Sequence, residues 1–167
     1  MPPPRIVRRL VLVPLLLVVM LALLLVLPLL AVLAAIASPL LPGRWRAARL
    51  LWFALVWVAL ESVALVALLA LWVASGFGGR IRSEPYQERH YAIMRWFLST
   101  LYDVASQAFH LRIEIEEPER TQAELRARLT RPVIVLSRHA GPGDSFLLVH
   151  DLLRRYRRRP RIVMKAT

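Results

Sequence analysis

The chain has 167 residues, of which 57% are hydrophobic, and its mean hydropathy is +0.51. This composition is too apolar for an ordinary soluble domain and indicates a membrane-associated protein. The formal net charge of +12 favours anionic lipid or phosphate-bearing substrates as partners rather than nucleic acid, because the chain carries no recognised nucleic-acid motif. The absence of cysteine excludes disulfides, thiolate metal sites and a cysteine nucleophile.

Residues 10–43 form a first apolar segment without a charged residue, long enough to cross a hydrocarbon core of roughly 30 Å as a helix. Pro28 predicts a kink or a division into two shorter helices. The basic start and a possible cleavage site after Ala37 also resemble a signal peptide. The apolar stretch exceeds the usual length of a signal-peptide core, which favours a retained helix.

Residues 50–79 form a second apolar segment in which Glu61 is the only charged residue. A carboxylate within hydrocarbon suggests a functional residue. The alternatives are that Glu61 is protonated, that it pairs with another helix, or that it lies at a shallow depth in a monotopic hairpin. The two segments predict a membrane-embedded helical hairpin over residues 1–79. The basic flanks outnumber the basic connector, which favours two spans with both termini in the cytoplasm. A hairpin dipping into one leaflet explains the Arg-rich connector equally well.

The segment from residue 84 to residue 109 has the apolar spacing of an amphipathic helix. The apolar stripe consists of Met94, Phe97, Leu98, Leu101, Val104, Ala105 and Ala108. Arg89, Arg95 and Asp103 lie off that stripe. The pattern is typical of a helix that covers one side of a sheet, and the alternative is an interfacial helix that places the domain on lipid.

The remaining pattern predicts an α/β fold class. The predicted elements are a half-buried strand at 111–116, a short helix at 121–129, a buried strand at 133–137, a helix at 145–156 and a strand at 161–165. Residues 80–167 are therefore interpreted as part of an α/β domain. Because roughly 80 residues are few for an independent α/β domain, we expect an N-terminal fragment or a truncated gene product.

His139 and Asp144 are five positions apart on the predicted strand-to-helix turn, with Gly141, Pro142 and Gly143 between them. The two glycines and the proline allow a tight reversal that brings the carboxylate towards the imidazole. An ionised Asp144 can accept a hydrogen bond from one ring nitrogen and fix the tautomer. The other nitrogen can then take a proton from a substrate hydroxyl. The alternative is a helix-capping aspartate beside an exposed loop histidine.

Residues 133–145, Val-Ile-Val-Leu-Ser-Arg-His-Ala-Gly-Pro-Gly-Asp-Ser, resemble the first motif of the 1-acylglycerol-3-phosphate acyltransferases, the glycerolipid acyltransferase family. The resemblance implies an acyltransferase domain in which His139 is the general base and Asp144 orients it. It implies transfer of an acyl group from acyl-CoA or acyl-carrier protein to a lysophospholipid hydroxyl, in phospholipid biosynthesis at the cytoplasmic face of a bacterial inner membrane. No cofactor is implied.

Arg138 stands where the family usually has Asn, and an Arg there could face phosphate. Residues 161–165 are similar to the family's next strand, which often ends in a lysine such as Lys165. Both residues are therefore candidate substrate-binding residues. The family's later phosphate-binding and Glu-Gly-Thr motifs are missing, so we expect the 167-residue chain to be inactive by itself.

Two further interpretations concern the charged residues. His90, His110 and His150 lack metal-ligand spacing, so no metal site is expected. The arginines at positions 154, 155, 157, 158, 159 and 161 are either a solvated helix end or a contact for anionic lipid or CoA phosphate. The alternative to an enzyme is a non-catalytic membrane anchor or assembly protein with a basic lipid- or partner-binding domain.

Overall fold

The structure, a computed structural model, describes residues 11–40, 43, 45–112, 134–135 and 143–161. Within these ranges the chain forms α1 (Val13–Ala37), α2 (Arg46–Ala74), α3 (Glu84–Phe109) and α4 (Asp144–Arg154). A short 3-10 helix, Ser38–Leu40, follows α1. Over the same ranges no residue lies in a β-strand.

The first helix, α1, begins with Pro14 in its first turn and continues through Pro28 without a break. Proline is tolerated in the first turn because the amide there has no helical partner. An internal proline removes one backbone hydrogen bond, but the remaining bonds of a long apolar segment keep it helical. α1 is therefore one helix, so the division predicted as one alternative at Pro28 is wrong, and the other alternative, a kink, stays a prediction.

The chain reverses between α1 and α2 at Gly43 and Trp45, which adopt positive φ angles of 121° and 66°. The two helices pack against each other, and Leu27 of α1 and Leu60 of α2 are buried. Both helices are long and apolar enough to cross a membrane by length and composition. The predicted apolar helical hairpin is confirmed at this level.

A hydrogen-bonded turn over residues 75–83 joins α2 to α3. Ser75 is fully buried; its hydroxyl donates to the Trp72 carbonyl at 2.7 Å and accepts from the Gly78 amide at 3.1 Å. Phe77 at the tip has a φ of 52° and is 68% exposed, with its ring edge-on to Trp72. The turn is thus ordered and presents an aromatic side chain outward.

The third helix, α3, runs antiparallel along α2. The Tyr86 hydroxyl donates to the Ala74 carbonyl at 2.6 Å near one end, and the rings of Phe109 and Phe53 are 5.0 Å apart near the other. The predicted helix at 84–109 is confirmed, and every residue of its apolar stripe is buried or half-buried. Arg89, Arg95 and Asp103 are exposed, as predicted.

The fourth helix, α4, packs on α3. Leu153 is 2% exposed, and the ring of the buried His150 stacks on Tyr102 with centroids 4.6 Å apart. The predicted helix at 145–156 is confirmed with slightly different ends. The arrangement is therefore a series of packed helices, α1 on α2, α2 on α3 and α3 on α4.

The described residues do not show the predicted α/β domain. Leu111, Arg112, Ile134, Val135 and Arg161 are the described residues of the three predicted strands, and none lies in a strand. Ile134 is 88% exposed, contrary to the prediction of a buried strand. The rest of these strands and the predicted helix at 121–129 lie outside the described residues. The apolar face of α3 is covered by α2 and α4, so its burial requires no sheet.

Candidate functional site

Asp144 is the first residue of α4 and is half-buried. The amides of a first helical turn lack helical partners, and the helix dipole is positive there, so this position favours the ionised carboxylate. The prediction that Asp144 lies in the first turn is confirmed. His139, Arg138 and Lys165 lie outside the described residues, so the His139–Asp144 pair stays a prediction.

An aromatic cluster attaches the start of α4 to α2. We use this name for Phe53, Trp57, Phe109 and Phe146. The Phe146 and Trp57 rings are 6.2 Å apart, Trp57 and Phe53 are 5.6 Å apart, and Phe53 and Phe109 are 5.0 Å apart, all edge-to-face. Each such pair is worth about 0.5–1.5 kcal/mol beyond the apolar area it buries. Through Phe146, two residues after Asp144, the first turn of α4 thus contacts one aromatic side chain of α2.

A cavity of about 210 Å³ lies next to the aromatic cluster, at the start of α2. Arg46, Arg49, Leu50 and Phe109 line it, so its lining combines two arginines with two apolar side chains. Guanidinium groups suit phosphate oxygens, and the apolar side chains suit an acyl chain or glycerol backbone. The end of the molecule that holds Asp144 thus also carries the charge and surface that an anionic lipid requires.

The arginine-rich segment after α4 folds back over the beginning of α3. Arg159 forms ion pairs with Glu84 at 2.5 Å and with Glu88 at 3.2 Å. The hydrogen bond from Arg159 to Glu84, together with the charges of both carboxylates, raises the pKa of the Arg159 guanidinium above its usual value. Arg154 lies 3.8 Å from Asp103, but both side chains are more than half exposed, so this pair adds little stability. Arg159 therefore docks the segment after α4 on the first turns of α3.

Sequence reasoning did not find the ring contact between Phe146 and Trp57 or the pairing of Arg159 with α3. Their partners are about 70 to 90 positions apart in the chain. The available signals were weak: aromatic residues near helix ends, and two glutamates spaced four apart at the start of α3. Neither pattern specifies a partner.

Comparison with known proteins finds no matching family model, no similar curated protein and no similar solved structure. The resemblance of residues 133–145 to an acyltransferase motif therefore stays a prediction. The structure contributes the position of Asp144 at a helix start, the ring contact of Phe146 with Trp57, and a basic cavity beside the aromatic cluster.

Proposed function

We propose that this chain belongs to a membrane-bound acyltransferase of the 1-acylglycerol-3-phosphate type. It would move a fatty acyl group from acyl-CoA or acyl-carrier protein to a lysophospholipid hydroxyl. The observation that carries the proposal is the edge-to-face contact of Phe146, two residues after Asp144 in α4, with Trp57 of the apolar helix α2. A reaction between a soluble thioester and a lipid requires its polar site at such a boundary.

In the proposed mechanism His139 takes the proton of the acceptor hydroxyl while that oxygen attacks the thioester carbonyl carbon. The tetrahedral intermediate collapses, its carbon–sulfur bond breaks, and the imidazolium returns the proton to the leaving thiolate. Asp144 accepts a hydrogen bond from the other ring nitrogen and stabilises the imidazolium. No covalent enzyme intermediate is required, because the substrate supplies the nucleophile.

We further propose that the helices lie in the plane of the membrane surface, as successive layers. α1 carries no charged residue in 25, α2 carries three in 29, α3 carries five in 26 and α4 carries three in 11. α1 packs on α2, α2 on α3 and α3 on α4. The fraction of residues that are charged therefore increases from helix to helix, from α1 to α4. The large exposed apolar residues of α1 would face acyl chains, and α3 and α4 would face water.

The length of the contact between α2 and α3 supports this orientation. Phe53 and Ala74, which contact the two ends of α3, are separated by about 32 Å along the α2 axis. That distance equals a whole hydrocarbon core of roughly 30 Å. If α2 crossed the membrane, α3 would cross beside it and expose Arg95 to lipid near the centre, at a cost of about 2.5–3.5 kcal/mol or more. In the plane of the surface, Arg95 faces water.

The cytoplasmic face of a bacterial inner membrane is the proposed location. The excess of arginine in the segments that flank the apolar helices favours the cytoplasmic side, where anionic lipids also attract basic residues. The Arg46 and Arg49 cavity is the proposed place for the acceptor phosphate, because it lies at the same end of the molecule as Asp144.

The proposal is tested by an acyl-transfer assay on membranes that contain the longest form of the protein its gene encodes. The acceptor is lysophosphatidate, and labelled acyl-CoA and acyl-carrier protein are compared as donors. His139→Ala should reduce turnover by about 10²–10⁴-fold, because a general base contributes that much. His90→Ala is the matched control, since His90 is an exposed histidine on α3. Turnover by His139→Ala equal to wild type would refute the mechanism.

A non-catalytic membrane anchor is the second candidate. It is favoured by one observation: in the described part of the chain, basic groups lie on exposed helix ends rather than in a closed cleft around Asp144. This candidate predicts no acyl transfer by any form of the protein. It also predicts that the protein still binds anionic vesicles when His139 is replaced by alanine.

A further inference from the structure

A second basic cavity lies at the opposite end of α3 from Asp144. Its volume is about 400 Å³. It is lined by Arg82, Glu84, Gln87, Tyr91, Arg159 and Arg161. The cavity is formed where the turn after α2, the first turns of α3 and the segment after α4 meet. Three arginines against one glutamate give its lining a net charge of +2.

The three arginines are not equivalent. Arg159 is neutralised by its ion pairs with Glu84 and Glu88. Arg82 and Arg161 have no ion pair or hydrogen bond among the residues that the structure describes. Two arginines thus line one cavity without a carboxylate partner among the described residues, while Glu84, the one carboxylate of the described lining, already binds a third arginine.

The fold holds these like charges in place. The Tyr91 hydroxyl donates to the Pro160 carbonyl at 3.3 Å, and the Arg159 guanidinium lies 5.8 Å from the centre of the Tyr91 ring. These contacts dock the segment after α4 on α3 and thereby bring Arg161 to the cavity that Arg82 also lines. Two like charges that line one cavity repel each other, and an anion bound between them would offset that repulsion.

We propose that this cavity binds a phosphate group through Arg82 and Arg161. A phosphate accepts hydrogen bonds from several guanidinium N–H groups at once, which is the arrangement in which arginine binds most strongly. The Gln87 amide, which also lines the cavity, supplies a further neutral donor. A carboxylate ligand is a poorer match, because it has two acceptor oxygens where a phosphate group has at least three.

This phosphate site is distinct from the proposed reaction site and does not rest on it. Tyr91 and Phe109 are separated by about 27 Å along the axis of α3. The cavity lies instead beside the turn that presents the exposed Phe77. The phosphate can belong to a lipid headgroup at the membrane surface or to a soluble phosphate compound, and both sources use the same two arginines.

The test uses the 167-residue chain in micelles of a neutral detergent. Calorimetric titrations with inorganic phosphate and with dioctanoyl phosphatidate are compared for wild type, Arg82→Gln and Arg161→Gln. Arg95→Gln is the matched control, because it removes one positive charge from an exposed position of α3 outside the cavity. Circular dichroism checks that each variant keeps its helices.

Wild type should bind at least one probe, and each cavity variant should bind it about tenfold more weakly, since each removes a charge-assisted contact. Arg95→Gln should match wild type. Binding of inorganic phosphate identifies a soluble source, and binding of phosphatidate alone identifies a headgroup. The proposal is overturned if neither probe binds, or if the cavity variants and Arg95→Gln bind equally well.

Discussion

At the turn between α2 and α3, Gly78 lies against the Trp72 ring. Its φ angle is 94°, and a Cβ atom added there would lie 2.9 Å from Trp72 Nε1. We predict that Gly78→Ala destabilises the protein, because a left-handed backbone costs an L-residue roughly 1–2 kcal/mol and the crowded ring about 1–3 kcal/mol more. Thermal unfolding in detergent, followed by helical circular dichroism, measures the effect.

Gly76 provides the matched control. It also has a positive φ angle, 71°, but an added Cβ atom would meet no other atom within 4 Å. Gly76→Ala should therefore lower the stability only by the roughly 1–2 kcal/mol that a left-handed backbone costs an L-residue. Equal losses for the two variants would mean that contact with Trp72 does not constrain the turn.

His150 is buried between α3 and α4, and neither of its ring nitrogens has a hydrogen-bond partner within the described residues. Asp151 Oδ1 lies 3.5 Å from Nδ1, but the two groups do not form a hydrogen bond. Because a buried unsatisfied polar group costs about 1–3 kcal/mol, we predict that His150→Phe raises the melting temperature while keeping the stacking on Tyr102. His150→Ala should lower it through the cavity it leaves. A lower melting temperature for His150→Phe would indicate a partner for the imidazole.

At the scale of elements, α4 is a short helix in which Leu153 is the most deeply buried side chain. Removing that side chain by Leu153→Ala should cost about 2–5 kcal/mol of docking energy. Hydrogen exchange should accelerate in residues 144–154 while α3 stays protected. Leu152→Ala, which removes the same atoms from a half-buried position, should have a smaller effect. Uniform acceleration of both helices would show instead that α3 and α4 unfold together.

The helices were the predictable part of the fold. Residues 84–109 combine an apolar stripe, a serine before the first turn and a proline in it, and these local signals predict the helix and mark its start. The long apolar segments predict α1 and α2 in the same way. The partner of α3 was not predictable, because an amphipathic face packs equally well on a sheet or on another helix.

The candidate site was predictable only in part. The turn glycine and the following apolar run place Asp144 at a helix start from local pattern alone. The attachment of that helix to Trp57 depends on two aromatic rings far apart in the chain, and spacing carries no information about such a pair. The same holds for Arg82 and Arg161, which line one cavity because the segment after α4 docks on α3 through Arg159 and Pro160.

At the scale of the whole molecule, apolar and charged surfaces lie on different helices of the packed series. They do not alternate along the length of each helix. A transmembrane bundle has an apolar belt with polar ends, whereas here α1 is apolar throughout and α3 is charged throughout its length. In the proposed orientation, this separation would place the start of α4 at a lipid boundary. The proposed reaction between a soluble donor and a lipid acceptor depends on it.

The orientation is tested by single-cysteine labelling, for which the cysteine-free chain provides a clean background. Cysteines at Gly43, between α1 and α2, and at Arg80, after α2, are probed with a membrane-impermeant maleimide in inside-out and right-side-out vesicles. Leu25→Cys on α1 is the lipid-buried control and should stay unlabelled. The account predicts that both turns are labelled from the same side, the cytoplasmic one. Labelling of the two turns from opposite sides would contradict it, because α2 would then cross the membrane.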